Sequence, residues 1–172
     1  MNIKEIIFKQ VQKRHPRQPH YQSYKSAKKI LILFESDLLE RNVQIKALIR
    51  QLQDDGKEVT AWGYVAKKQI ESGVLRDYRV LGLNDFNFWG VPQEYERQDI
   101  ARDHYDLLIN LNVNNLLAIR YLSLYADADF RAGQETEEPY LNDFMINTMG
   151  DNNPAFLFDQ IIHYLKQVEI AQ

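Results

Sequence analysis

The chain contains no cysteine, which excludes disulfides, thiolate metal sites and cysteine nucleophiles. It also lacks long apolar runs. The longest, such as Ile30-Leu31-Ile32-Leu33-Phe34, span only about 5 residues against the roughly 20 of a membrane helix, so no membrane insertion is expected. The seven glycines are scattered at positions 56, 63, 73, 82, 90, 133 and 150, with no GxGxxG after a strand and no P-loop spacing. No serine lies in a GxSxG elbow and none of the four histidines lies in HExxH. Asp127 with Asp129, or Glu135 with Glu137 and Glu138, offer oxygen ligands but no EF-hand spacing, and read as a solvated surface. These absences leave no catalytic residue, metal or cofactor to nominate. The N-terminal stretch MNIKEIIFKQVQKRHPRQ has no signal-peptide pattern, so a cytoplasmic address is expected.

What is present fits one globular domain: 172 residues, 45% hydrophobic and 26% charged. The net charge of −3 conceals an asymmetry. Residues 9–29 carry seven cations (Lys9, Lys13, Arg14, Arg17, Lys25, Lys28, Lys29) and no acid, whereas residues 30–172 carry 13 basic and 23 acidic side chains, a formal −10. The spacing predicts a helix over residues 2–14, broken by His15-Pro16-Arg17-Gln18-Pro19. This basic helix and its connector, residues 1–28, precede an α/β domain over residues 29–172.

From residue 29 onward, apolar strand-like runs alternate with amphipathic helical stretches. Strands are expected at 29–34, 59–64, 78–81, 106–111, 128–132 and 143–146. Ser36 or Asp37 is expected to cap a helix with Ile45, Leu48, Ile49 and Leu52 on one face, ended by a left-handed Gly56. A helical turn is expected over 66–72 and a polar helix over 93–104. Asn114 or Asn115 is expected to cap a helix running to about Ala126, with Leu117, Tyr121, Leu124 and Tyr125 on one face. Asn153 followed by Pro154 marks the last helix start. The expected fold is a three-layer Rossmann-like α/β domain whose mostly parallel sheet is flanked by helices.

In such sheets, ligands bind beyond the carboxyl ends of the strands where strand order reverses. If the first and fourth strands are neighbours, Glu35, Ser36 and Asp37 face Asn110, Asn112, Asn114 and Asn115. Glu35, Ser36, Asp37, Asn112 and Asn114 are the candidate ligand residues, with Arg131 nearby, pairing Glu35 or Asp37 or binding an anion. Helix capping and turn formation account for the same residue types. Gly133 supplies either a positive φ or a close backbone approach. Phe86, Phe88 and Trp89, in the turn-rich segment NDFNFWGVP, either cover the sheet edge or form a partner patch. The seven arm cations, with Tyr21 and Tyr24 for stacking, suit RNA or an acidic protein.

The stretch YDLLINLNVNNLLAIRYLSLYADADFRAG, residues 105–133, resembles the strand–helix–strand in the N-terminal half of heptosyltransferase-type glycosyltransferases. That resemblance implies a Rossmann-like fold but not the activity, because such enzymes hold the sugar nucleotide with a second domain for which 172 residues leave no room. The motifs KKILILFESD, YDLLINLN, DADFRAG and NDFMI are similar to a family of small bacterial proteins with no assigned function, in which a basic helix likewise leads into the first strand. The resulting expectation is a non-catalytic binding or regulatory module contacting RNA or an acidic protein through its arm. The alternative is a small-molecule-binding or degenerate glycosyltransferase-like domain using the polar rims.

Overall fold

A computed structural model describes residues 2–38, 40–68, 78–137 and 141–168. The uninterrupted apolar run at 30–34 forms β1 (Lys29–Glu35), whose middle residues are all fully buried, as a strand covered on both faces must be. Its neighbours are β2 (Glu58–Tyr64) and β4 (His104–Leu111), both parallel to it. Beyond them lie β3 (Arg79–Leu81) on one side, and β5 (Asp127–Gln134) and β6 (Phe144–Ile146) on the other. The order β3-β2-β1-β4-β5-β6 makes an all-parallel six-stranded sheet whose order reverses between β1 and β4. Leu31 is the partner of Leu108 in that central pair.

One face of the sheet presents Ile30, Ile32 and Phe34 to α2 (Glu40–Asp54) and α5 (Pro154–Gln167), which contribute Ile45, Ile49, Leu157, Phe158 and Ile161. The opposite face presents Leu31, Leu33 and Leu108 to α3 (Glu94–Ile100) and α4 (Leu117–Tyr125). Local signals end these helices as their residues dictate. Gly56 is left-handed, with φ +79°, after α2. Asn153 accepts from the Ala155 amide and Pro154 opens α5.

In α4, every residue from Ala118 to Leu124 is buried. A helix covered all round needs a layer on each side, and the N-terminal helix α1 (Ile3–Lys13) is the outer one. Ala118, Ile119 and Leu122 meet the sheet, whereas Tyr121 and Leu124 meet the fully buried Phe8 of α1. The Phe8 and Tyr121 rings pack edge to face at 4.9 Å. Burying Phe8 is worth about 1.5–3 kcal/mol. The connector then runs down to the amino ends of the strands, where Arg17 bonds Asp143 and the Asp129 carbonyl, and the Lys28 and Lys29 amides donate to Asp106.

Three expected elements differ. The polar helix expected over 93–104 ends at Ile100, and His104 already opens β4. Ala66–Lys68 bends rather than coils, and the rest of that turn lies outside the described residues. Neither Asn114 nor Asn115 caps α4; Asn112 reaches forward instead, accepting from the Leu116 amide at 2.8 Å and donating to its carbonyl at 3.0 Å. No helix among the described residues is long and apolar enough to cross a membrane.

Candidate functional site

The two polar rims do meet at the switch point. Asn114 donates from Nδ2 to Glu35 Oε2 at 2.5 Å, and Arg41 pairs with the same oxygen at 3.2 Å. The crevice between them is occupied by structural bonds. Buried Ser36 accepts from the Leu38 amide and donates to Asn42 Oδ1 at 2.9 Å. Asp37 accepts from the Arg41 amide at 3.1 Å and so caps the start of α2. Asn110 accepts from the Asn112 amide and donates to Asn142.

Arg131 does not join this group. It lies beside Leu108, midway along the sheet, and donates from Nη2 to the Ala126 carbonyl at 2.9 Å, toward the amino end of β5. Neither Glu35 nor Asp37 is its partner, because a side chain leaving the strand at that register meets the end of α4 instead. Burial, and then repulsion from Arg17, lowers its proton affinity, while Asp143 and Asp127 oppose them. Gly133 does not need a positive φ; it provides the close approach, since a Cβ there would lie 2.6 Å from Asn142 Nδ2.

An open cavity of about 440 Å³ lies one strand over, beyond the carboxyl ends of β4 and β5. Asn112, Val113 and Asn115 form one wall, residues 134–137 (Gln134, Glu135, Thr136, Glu137) another, and Arg120 the floor. The third wall is α1, through Glu5 and Lys9. Of the candidates, the cavity therefore gathers Asn112 and Lys9 and leaves out the β1 rim. Glu5 holds both oxygens on Arg120 Nη1, at 2.8 and 2.9 Å, and the guanidinium lies 4.2 Å over the Phe8 ring. This charge-assisted bond fixes the α1 wall relative to α4. Gln134 lines the cavity, with its Nε2 donating to Thr148 Oγ1 at 3.4 Å and its Oε1 buried.

Glu5, Arg120 and Gln134 were not candidates from sequence. Arg120 had one available signal: it is a charge inside LAIRYLSLY, the most apolar helix among the described residues. The cations Lys13 and Arg14 sit farther along α1, and Lys25, Lys28 and Lys29 sit exposed near the opposite end of the sheet. Metal-type ligands cluster at that opposite end as well. His104, Asp106 and Asp129 place ligand atoms within 4.8 Å of one another. Each already has a structural partner: His104 contacts Asp127 and Asp129, Asp106 takes two amides, and Asp129 takes the Gln22 amide group.

Among solved structures, the chain is similar to the E. coli heptosyltransferase WaaC with ADP, with a TM-score of 0.51 and 13% identity. The match covers 84% of this chain and 48% of that one, so the chain spans about half the length of this relative. The likeness is one of fold, and it agrees with the strand–helix–strand resemblance of residues 105–133. No curated protein matches the chain. A family model does match, over residues 1–168, and takes in the basic helix, the connector and the whole sheet. The chain accordingly belongs to a family of unknown function, DUF6913.

Proposed function

We propose that this protein is a small-molecule-binding domain whose site is the cavity beyond β4 and β5. The observation that carries the reading is the cavity itself: about 440 Å³, in the size range of ligand sites, on the carboxyl side of the sheet, one strand over from the switch point. Its lining specifies a polar ligand. Glu135 and Glu137 favour hydroxyl or amine groups. Two carboxylates at the mouth and the lack of a glycine-rich loop argue against a phosphate. A polyol, sugar or amino sugar fits these demands, and the heptosyl chemistry in the name of the fold neighbour agrees with a sugar-like ligand.

The seven arm cations support contact with RNA or an acidic protein less well. They are divided between the two ends of the sheet, and Arg17 is held by Asp143. In this reading the arm serves to wall the cavity.

The test is a thermal-shift screen of polyols, sugars, amino sugars and nucleotides on the wild type, Gln134→Ala and Glu135→Gln. A ligand at 100 times its Kd adds about 2.7 kcal/mol of stability. For a chain of this size, that raises Tm by about 5–10 °C. At least one uncharged or cationic polyol should do so, and both substitutions should remove most of the rise. A screen in which no member of these classes shifts Tm, or a shift that persists in both variants, defeats the proposal.

A further inference from the structure

The outer face of α1 changes character along its length. Ile3 and Ile6 are 59% and 41% exposed, followed by exposed Gln10, Lys13 and Arg14. The helix has one carboxylate, Glu5, and it is turned inward to Arg120. The outer face is thus apolar at one end, cationic at the other, and without acid.

Beside the apolar end, a second segment presents two aromatic rings to solvent. Phe88 is 80% exposed and Trp89 42%, and their rings pack edge to face at 5.1 Å. The turn that carries them is built for this display. Asn87 accepts from the Trp89 and Val91 amides through Oδ1, and its own amide donates to the Val91 carbonyl. Gly90 supplies the left-handed residue at φ +82°. On either side of the rings, Phe86 is buried and Val91 packs against the α1–α4 core. The Lys4 ammonium lies 5.7 Å from the Phe88 ring centre and joins the two segments. The nearest loop carboxylate, Asp85, is turned to the Gly82 amide and the Tyr95 hydroxyl.

We infer that this surface docks on an anionic phospholipid membrane. Ile3, Ile6, Phe88 and Trp89 would enter the headgroup boundary while Lys13 and Arg14 meet lipid phosphates. Aliphatic side chains, a tryptophan and cations on an acid-free helix face are what that interface accommodates together. Nucleic acid fits less well, because isoleucines offer bases no stacking face. A second copy docked by two-fold symmetry would set this same surface, cations included, against itself.

The test uses the full chain with vesicles of phosphatidylglycerol mixed equally with phosphatidylcholine, and of phosphatidylcholine alone. Sedimentation should show binding to the first only. Brominated lipid should quench Trp89, since the other tryptophan, Trp62, is buried beneath Arg79. Each basic residue near such a surface is worth about fivefold in partitioning. The double charge reversal Lys13→Glu/Arg14→Glu should therefore weaken binding by at least about 25-fold, and Phe88→Ser/Trp89→Ser should abolish sedimentation with the anionic vesicles. All four positions are on the exposed side, and unchanged melting temperatures will confirm that the variants fold. Absence of binding to anionic vesicles, or binding that survives both double variants, overturns the inference. So does a dimer in light scattering, or an RNA complex, that depends on Phe88 and Trp89 in a chain that ignores vesicles.

Discussion

Replacing Gly133 with alanine tests the account of the strand ends most directly. The new methyl would lie 2.6 Å from Asn142 Nδ2 and 2.8 Å from both Cγ and Oδ1. Asn142 cannot swing aside freely. It is 3% exposed, donates to the Gln134 carbonyl at 3.1 Å and accepts from Asn110 at 3.3 Å. Overpacking costs about 1–3 kcal/mol, and each buried group left without its partner adds about 1–3 kcal/mol. A total near 3 kcal/mol lowers Tm by about 6–12 °C in a domain of this size. The assay is thermal unfolding of the wild type, Gly133→Ala, Asn142→Ala and the double variant. Removing the Asn142 amide removes the collision, so Gly133→Ala should cost much less in that background than alone. A single variant melting within about 2 °C of the wild type, or costs that simply add, would refute the proposed contact.

Three further outcomes are expected. Phe8→Ala should cost about 3–5 kcal/mol and loosen α1 selectively, so that hydrogen exchange quickens for amides of α1 while those of β1 and β4 keep their protection. His104 sits between Asp127 and Asp129, and the bond to Asp127 chiefly raises its pKa above the ordinary 6.5. Its stabilisation is complete below 6.5 and lost as pH rises through the folded value. Tm of His104→Gln should therefore fall short of wild type in acid and converge with it in alkali, and a pH-independent gap would contradict this. Glu96 is buried, and desolvation raises its pKa above 4.5 despite Arg79. Wild-type stability should thus erode relative to Glu96→Gln as pH climbs from 4.5 through the folded value, as paired melts between pH 4 and 8 would record.

The sheet was legible because its central strands must be apolar on both faces. The run at 30–34 and the run at 107–111 announce such strands, and the helices between strands dictate parallel neighbours, as the pairing of Leu31 with Leu108 bears out. Even the three-residue edge strands β3 and β6 left a signal, in the runs read at 78–81 and 143–146. The turn-rich aromatics divided between their two readings: Phe86 covers the sheet edge, while Phe88 and Trp89 point outward. The position of α1 was not legible. Its own pattern of Ile3, Ile6, Ile7 and Val11 is right only in part: Val11 packs on the core, but Ile3 and Ile6 are exposed and Phe8 is the anchor. The informative pattern lay elsewhere, in an α4 too apolar for a helix with one side in water.

The candidate site shows why residue type alone misplaces function in this fold. Serine, aspartate and asparagine after a strand are equally suited to hold a ligand and to hold the next helix. Here the second demand uses Ser36, Asp37 and Asn112 first, because the amides opening α2 and α4 need acceptors whether or not a ligand arrives. What remains to recognise a ligand is the set of polar groups that folding does not consume. Those sit where segments distant in sequence meet, here in the cavity whose α1 wall is fixed by the Glu5–Arg120 pair across 115 positions. A buried arginine inside an apolar helix is the sequence mark of such a meeting, because it must find a carboxylate from another element or forfeit several kcal/mol. Arg120 makes that demand of α4, and the carboxylate that answers it, Glu5, brings α1 across the helix and with it the third wall of the cavity.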